Sequence, residues 1–314
     1  MVRMRASRYL FVFTLVLAAS SAAQSPVSEP AAVLAAAREA LGGEKRLGAV
    51  RSFTATGRTR QVRGENLVPI EFEIVCELPD KFVRKDEVPA QESGPTSLGF
   101  NGEQLIQDPP PAPPRPPKTP PAGSSAPPPA AADAAGRSRL ATLKQDFARL
   151  ALGMFAASFS GYPLTFSHAG LAEAPQGKAD VMEAKGPANF TLRFFVHTQT
   201  HLPVMVTWLA PVTPANIVIV LPGQPPSAPV PGSIVVEAPP PPPETATKEE
   251  RDKYANDIAA LRKKTLAEAK PIEHRLYYSD YRDVDGMQFP FRLRRAVAGQ
   301  TTEETTFDRF RINP

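Results

Sequence analysis

Glu273–Pro314 reads EHRLYYSDYRDVDGMQFPFRLRRAVAGQTTEETTFDRFRINP. In its middle, Met287, Phe289, Phe291 and Leu293 share one parity, and Gln288, Arg292 and Arg294 share the other. Side chains on a strand alternate faces, so this segment is expected to present one apolar and one wetted face. Asp283-Val284-Asp285-Gly286 precedes it. Gly after Asp supplies the positive φ of a hairpin turn. The stretch from Glu273 to Pro314 therefore reads as a three-stranded antiparallel meander.

The same alternation recurs upstream. In Asn66–Leu78, Val68, Ile70, Phe72, Ile74, Cys76 and Leu78 lie on one face, with Glu71, Glu73 and Glu77 on the other. Strands are also expected at Arg51–Val62, Lys81–Glu87, Lys178–Gly186, Asn189–His197 and Leu202–Ala210. A hairpin over Thr96–Gln107 turns at Asn101-Gly102. An Ala-rich helix spans Glu29–Leu41 and stops at Gly42-Gly43. A second, from Ser138 to Phe159, carries one buried stripe of Leu140, Leu143, Phe147, Leu150 and Met154. A third, charged helix over Thr247–Lys270 opens with a capping box of Thr247 and Glu250. The fold class is α+β, mainly antiparallel β, with helices on one side of the sheet.

Proline divides the chain. Asp108–Ala135 is a Pro/Ala tract, and Leu221–Glu244 is a second tract ending in Pro239–Pro243. Proline removes a backbone donor and fixes φ, so both are expected as extended surface loops without helix or strand. One domain over residues 24–314 is expected, interrupted at 108–135 and at 221–270.

The N-terminus reads as an export signal. Arg3, Arg5 and Arg8 precede the apolar run Leu10–Ala19, and Ser21-Ala22-Ala23 offers small residues for cleavage after Ala23. The apolar run is shorter than the ~20 residues that span a bilayer. Export is expected, with no transmembrane segment in the mature chain. The net charge of +4 is modest and partly lies in the signal. Basic residues are not clustered with aromatics, which argues against nucleic-acid binding.

No constellation points to catalysis or to a cofactor. His197 and His201 are four apart but sit on an expected turn, where that spacing does not converge two imidazoles on a metal. His168 and His274 are isolated. Asp280, Asp283 and Asp285 lack the downstream bidentate Glu of a calcium loop and read as turn formers. Glu71 and Glu73 lie side by side on a polar face. Ser158-Phe159-Ser160-Gly161 is not a nucleophile elbow. Cys76, the one cysteine, is expected to be buried and unreactive. Asn189-Phe190-Thr191 matches a glycosylation acceptor, but Phe190 belongs to an expected buried face.

Three pieces carry a family likeness. One is Leu41-Gly42-Gly43 leading to Val50–Gly57. A second is Phe195–Pro203, a strand that ends in a polar turn and resumes after Leu-Pro. The third is Tyr281–Pro290. In order and context they resemble the outer-membrane lipoprotein-sorting family, the LolA-type periplasmic carriers. The resemblance implies a curved, incompletely closed β-barrel wrapped over helices. It implies that the apolar face holds lipid or lipoprotein acyl chains, with no enzymatic step, in the periplasm or at the outer membrane. Residues of shared parity that would line such a cavity are Ile70, Phe72, Ile74, Phe190, Phe194, Val206, Phe289 and Phe291. The proline tracts and the charged helix have no counterpart in the compact carriers, and no residue matches their ligand-gating arginine. The same alternation also suits an envelope sensor or interaction module with a closed core, recruiting a protein partner through the Pro-rich loops or the charged helix.

Overall fold

The computed structural model describes residues 29–63, 66–89, 91, 94–110, 129–174, 177–223 and 230–314. The expected signal peptide lies outside them, as do residues 111–128 of the first proline tract.

Two short helices, α1 (Pro30–Ala40) and α2 (Glu44–Ala49), lead into β1 (Ser52–Arg63), β2 (Asn66–Glu77), β3 (Lys81–Glu87), β4 (Thr96–Asn101) and β5 (Gln104–Asp108). The long helix α3 (Pro129–Phe155) follows. Next come β6 (Thr165–Ala174), β7 (Gly177–Gly186), β8 (Phe190–His197) and β9 (Pro203–Ala210). A small unit, β10 (Ile217–Val220) and β11 (Ile234–Glu237), precedes helix α4 (Lys248–Glu268). The meander β12 (Ile272–Val284), β13 (Met287–Val297) and β14 (Gln300–Ile312) closes the chain.

Twelve strands form one antiparallel sheet in the order β5-β4-β3-β2-β1-β14-β13-β12-β9-β8-β7-β6. Its two ends, β5 and β6, do not pair, so the sheet stays open. The meander supplies the middle, since β14 pairs with β1 and β12 with β9. It turns at Asp285 and Gly286, both at positive φ, with the Gly286 N–H donating to Asp283 Oδ1.

The sheet curves around α3. Phe147 of α3 packs against Phe82 of β3 in a tilted pair and meets Phe100 of β4 edge-on. Arg149, two residues on, lies over Phe190 of β8 and Trp208 of β9. In a flat sheet β4 and β8 would stand about 38 Å apart, at ~4.8 Å per strand. Two neighbouring helical residues can meet both only if the sheet wraps the helix. Residues 147–156 are consequently buried without exception. The expected single stripe holds over 138–146, and over the last turns of α3 it is corrected to burial all round.

Both proline tracts hold more structure than expected. Pro129–Ala135 forms the first turns of α3. Alanine favours helix and proline is tolerated in a first helical turn, so the end of the Pro/Ala tract joins the helix. In the second tract Ile234-Val235-Val236, β-branched and free of proline, forms β11 in parallel with β10. The helix α4 starts as its capping box dictates. Thr247 Oγ1 accepts from the Glu250 N–H, and the Glu250 carboxylate accepts from the Thr247 N–H. None of its residues is buried.

Candidate ligand-binding site

All eight expected lining residues face the helix side and are buried. They divide into two groups. Phe72, Phe289 and Phe291 join a cluster of rings. Phe72 meets Phe307 edge-on at 5.4 Å, Phe289 meets Phe155 edge-on at 5.7 Å, and Phe289 and Phe291 both pack on Phe310. Ile70 and Ile74 flank Phe72 on β2. Phe190, Phe194 and Val206 stand on the other wall, with Phe194 directly opposite Val206.

Sequence reasoning missed Phe307 and Phe310, which are three apart and break strict alternation. The β1/β14 register passes from Thr56↔Arg309 to Gly57↔Phe307, leaving Asp308 as an extra residue. Such a bulge puts residues three apart on one side. Gly57 faces this crowded point, where a Cβ would come within 2.3 Å of the Thr306 carbonyl oxygen.

Helix α3 is tied to β12 by its backbone. The Tyr278 hydroxyl donates to the Arg149 carbonyl at 2.5 Å. The Tyr281 hydroxyl lies 3.0 Å from the carbonyls of both Gly153 and Pro203. Burial pushes both phenols upward. Gly153 is where the helix comes closest, since a Cβ there would lie 2.4 Å from the Tyr278 ring. Arg38 of α1 donates to the Phe155 carbonyl, satisfying one of the last carbonyls of α3.

The three likeness motifs converge here. The Gln288 N–H donates to the Leu41 carbonyl, and a Cβ on Gly42 would strike the Gly286 carbonyl oxygen at 2.7 Å. Gly42 itself sits at φ 128°, a conformation suited to glycine. Tyr281 joins the third motif to Pro203 of the second.

Cavities of about 280, 340, 300, 160 and 630 Å³ lie among the described residues. Of the eight residues only Phe72 borders any of these five, in the 280 Å³ cavity beside Gly57, Arg58 and Glu73. The helix side of the sheet is filled by α3 and by its own rings.

Two cations lie within this filling. Lys144 of α3 is buried and paired with Glu103. Arg149 is 5% exposed, and its Nη1 donates to Asp146 Oδ1 at 2.9 Å. Neither was expected from the sequence.

The other candidates resolve simply. His197 Nδ1 accepts from the N–H groups of Gln199 and Thr200, which commits it to the turn. His168 pairs with Asp180 at 3.2 Å. His274 stacks on Trp208, and its imidazole is held below the usual range by burial, then by Arg295 and Arg149. Cys76 is buried, and desolvation pushes its thiol up to about 12. Among the described residues, no group of three or more metal-ligating side chains occurs, and no helix is long and apolar enough to cross a membrane.

No family model matches the sequence, and no curated protein matches it. The fold is similar to that of solved structures. A LolA superfamily protein from Nitrosomonas europaea is 10% identical, with 91% of this chain and 94% of that one covered, at a TM-score of 0.45. A structure described as an outer membrane lipoprotein-sorting protein domain from Vibrio parahaemolyticus is 9% identical over 89% and 92%, at 0.41. A DUF1329 family protein from Desulfovibrio piger is 8% identical over 91% and 94%, at 0.41.

Proposed function

We propose that this protein is a periplasmic carrier or binding protein that shelters lipid or lipoprotein acyl chains between α3 and the apolar side of its sheet, with no catalytic step. The observation that carries this reading is a single helix strapped inside an open, curved apolar sheet. An acyl chain of about fifteen methylenes gains about 12 kcal/mol on burial, at ~0.8 kcal/mol per methylene. In this reading Ile70, Phe72, Ile74, Phe190, Phe194, Val206, Phe289 and Phe291 contact the chain when α3 shifts. The motif likeness to lipoprotein-sorting carriers points the same way.

The test is direct. The exported protein is purified and extracted with organic solvent, and the delipidated protein is titrated with a hydrophobic dye. Recovered lipid and a rise in dye fluorescence are expected. No lipid and no dye response would sink the carrier reading.

One observation favours a second reading, an envelope sensor or interaction module. Helix α4 has no buried residue, yet keeps Tyr254, Ile258 and Leu261 half-covered along one stripe. Under that reading, serine at these three positions abolishes cross-linking to an envelope partner and leaves unfolding of the sheet unchanged.

A further inference from the structure

On the wall formed by β8, β9 and β12, the charge balance is incomplete. Arg149 projects from α3 into an aromatic setting, with its guanidinium carbon 4.1 Å from the Trp208 ring centre and 5.0 Å from that of Phe190. Its Nη1 reaches Asp146, but its buried Nε has no acceptor. Arg295 of β13 approaches the same Asp146 oxygen at 3.6 Å. One carboxylate thus serves two guanidiniums. His274 stacks on the far side of the group, opposite Trp208 in the β12/β9 register. Glu303 stands opposite Arg295 in the β13/β14 register, yet it makes no ion pair among the described residues and is approached by the Thr305 hydroxyl instead.

Packing alone does not call for this arrangement. An apolar side chain of similar volume would fill the space without desolvating a charge. A buried donor without a partner, beside a surplus cation, is an exception that asks for a ligand. The group also has an entrance, because the side chains of Arg295 and Asp146 are 29% and 39% exposed.

We infer that Arg149 and Arg295 form a head-group site for an acyl ligand bearing a carboxylate or phosphate, with the chain running inward past Phe190, Phe194 and Val206. This rests on the carrier reading and specifies its ligand as an anionic amphiphile. The anion would accept from the free Nε of Arg149 and from Arg295, restoring one negative charge per positive charge.

Trp208 is the only tryptophan of the chain and sits against Arg149, so its fluorescence reports the site. The full-length exported protein is titrated with palmitate, with hexadecanol as the neutral chain of equal length, and with inorganic phosphate. Palmitate is expected to change Trp208 emission and to bind at least tenfold more tightly than hexadecanol. In Arg149→Met that preference disappears while hexadecanol binding stays. Should Arg149→Met fail to fold, Arg295→Gln must reduce the preference at least threefold. Equal binding of the two amphiphiles by the parent overturns the head-group site and leaves the carrier reading standing. Binding of neither overturns both. A response to phosphate equal to that to palmitate assigns the site to a free anion and removes the acyl ligand from it. A palmitate preference retained by a folded Arg149→Met would return Arg149 to a packing role.

Discussion

Helix α3 meets two unlike walls. Toward β2, β1, β14 and the first half of β13 it faces apolar side chains, and Phe155 is edge-on to Phe289 while Phe289 stacks on Phe310 at 5.1 Å. Toward β8, β9 and β12 it presents Arg149 to Trp208 and Phe190, and two tyrosine hydroxyls to its own carbonyls. Both walls are built mainly of buried side chains, so burial alone does not distinguish them. What distinguishes them is satisfaction. The aromatic wall leaves no polar debt, whereas the charged wall leaves an orphan donor and a surplus cation in place. The first wall is complementary to any apolar surface, helix or acyl chain, whereas the second also holds a buried donor without a partner.

The largest contrast comes from truncating each wall. Phe289 is fully buried in the ring cluster, and Phe289→Ala is expected to cost about 3–5 kcal/mol in urea unfolding. Arg149→Met on the opposite wall removes one partner of a pair but leaves Asp146 39% exposed and near Arg295, so it is expected to cost less, about 0–2 kcal/mol. Similar losses at both positions would erase the distinction.

Alkaline pH probes the aromatic wall next. Cys76 sits beside Phe53 in register, and its thiol is raised from 9.0 to about 12. A raised folded value means that this contribution is whole below about pH 9 and is lost as pH climbs from about 9 toward 12, reaching about 4 kcal/mol at most. The buried Tyr278 and Tyr281 add loss of the same sign above pH 10. Cys76→Val should lessen the fall in urea-unfolding free energy between pH 9 and 11, relative to its own value at pH 8. An unchanged fall would mean that the thiol ionises in place.

Gly153→Ala tests the seam between helix and sheet. Its methyl would strike the Tyr278 ring, so a loss of about 1–3 kcal/mol is expected together with greater dye uptake as α3 lifts. Loss of stability without dye uptake would show that the helix does not open at this end. The smallest effect is expected far from both walls. Thr247→Ala removes the α4 cap, worth about 1 kcal/mol locally, and should leave unfolding of the sheet unchanged.

Much of the sheet was legible because alternation is a local property. The parity of Met287, Phe289, Phe291 and Leu293 is read from neighbouring residues alone, and all four are buried. Asp285-Gly286 and the Thr247–Glu250 box set their turn and helix start by short-range chemistry. Strand β6 escaped notice because the register breaks between His168 and Gly170, which disrupts the period of two. Phe307 and Phe310 escaped for the same reason at Asp308.

The sequence by itself determined which residues make strands, which side of each strand is apolar, and where the meander turns, since backbone geometry and side-chain alternation act over a few residues. Only the tertiary structure decided that strands eight places apart in the sheet close on one helix. That closure buries Arg149 along with its apolar neighbours and brings Arg295, His274 and Trp208 around it. Helical periodicity can name one buried stripe, but the depth of the other sides depends on how far distant strands curve, and no local pattern records that.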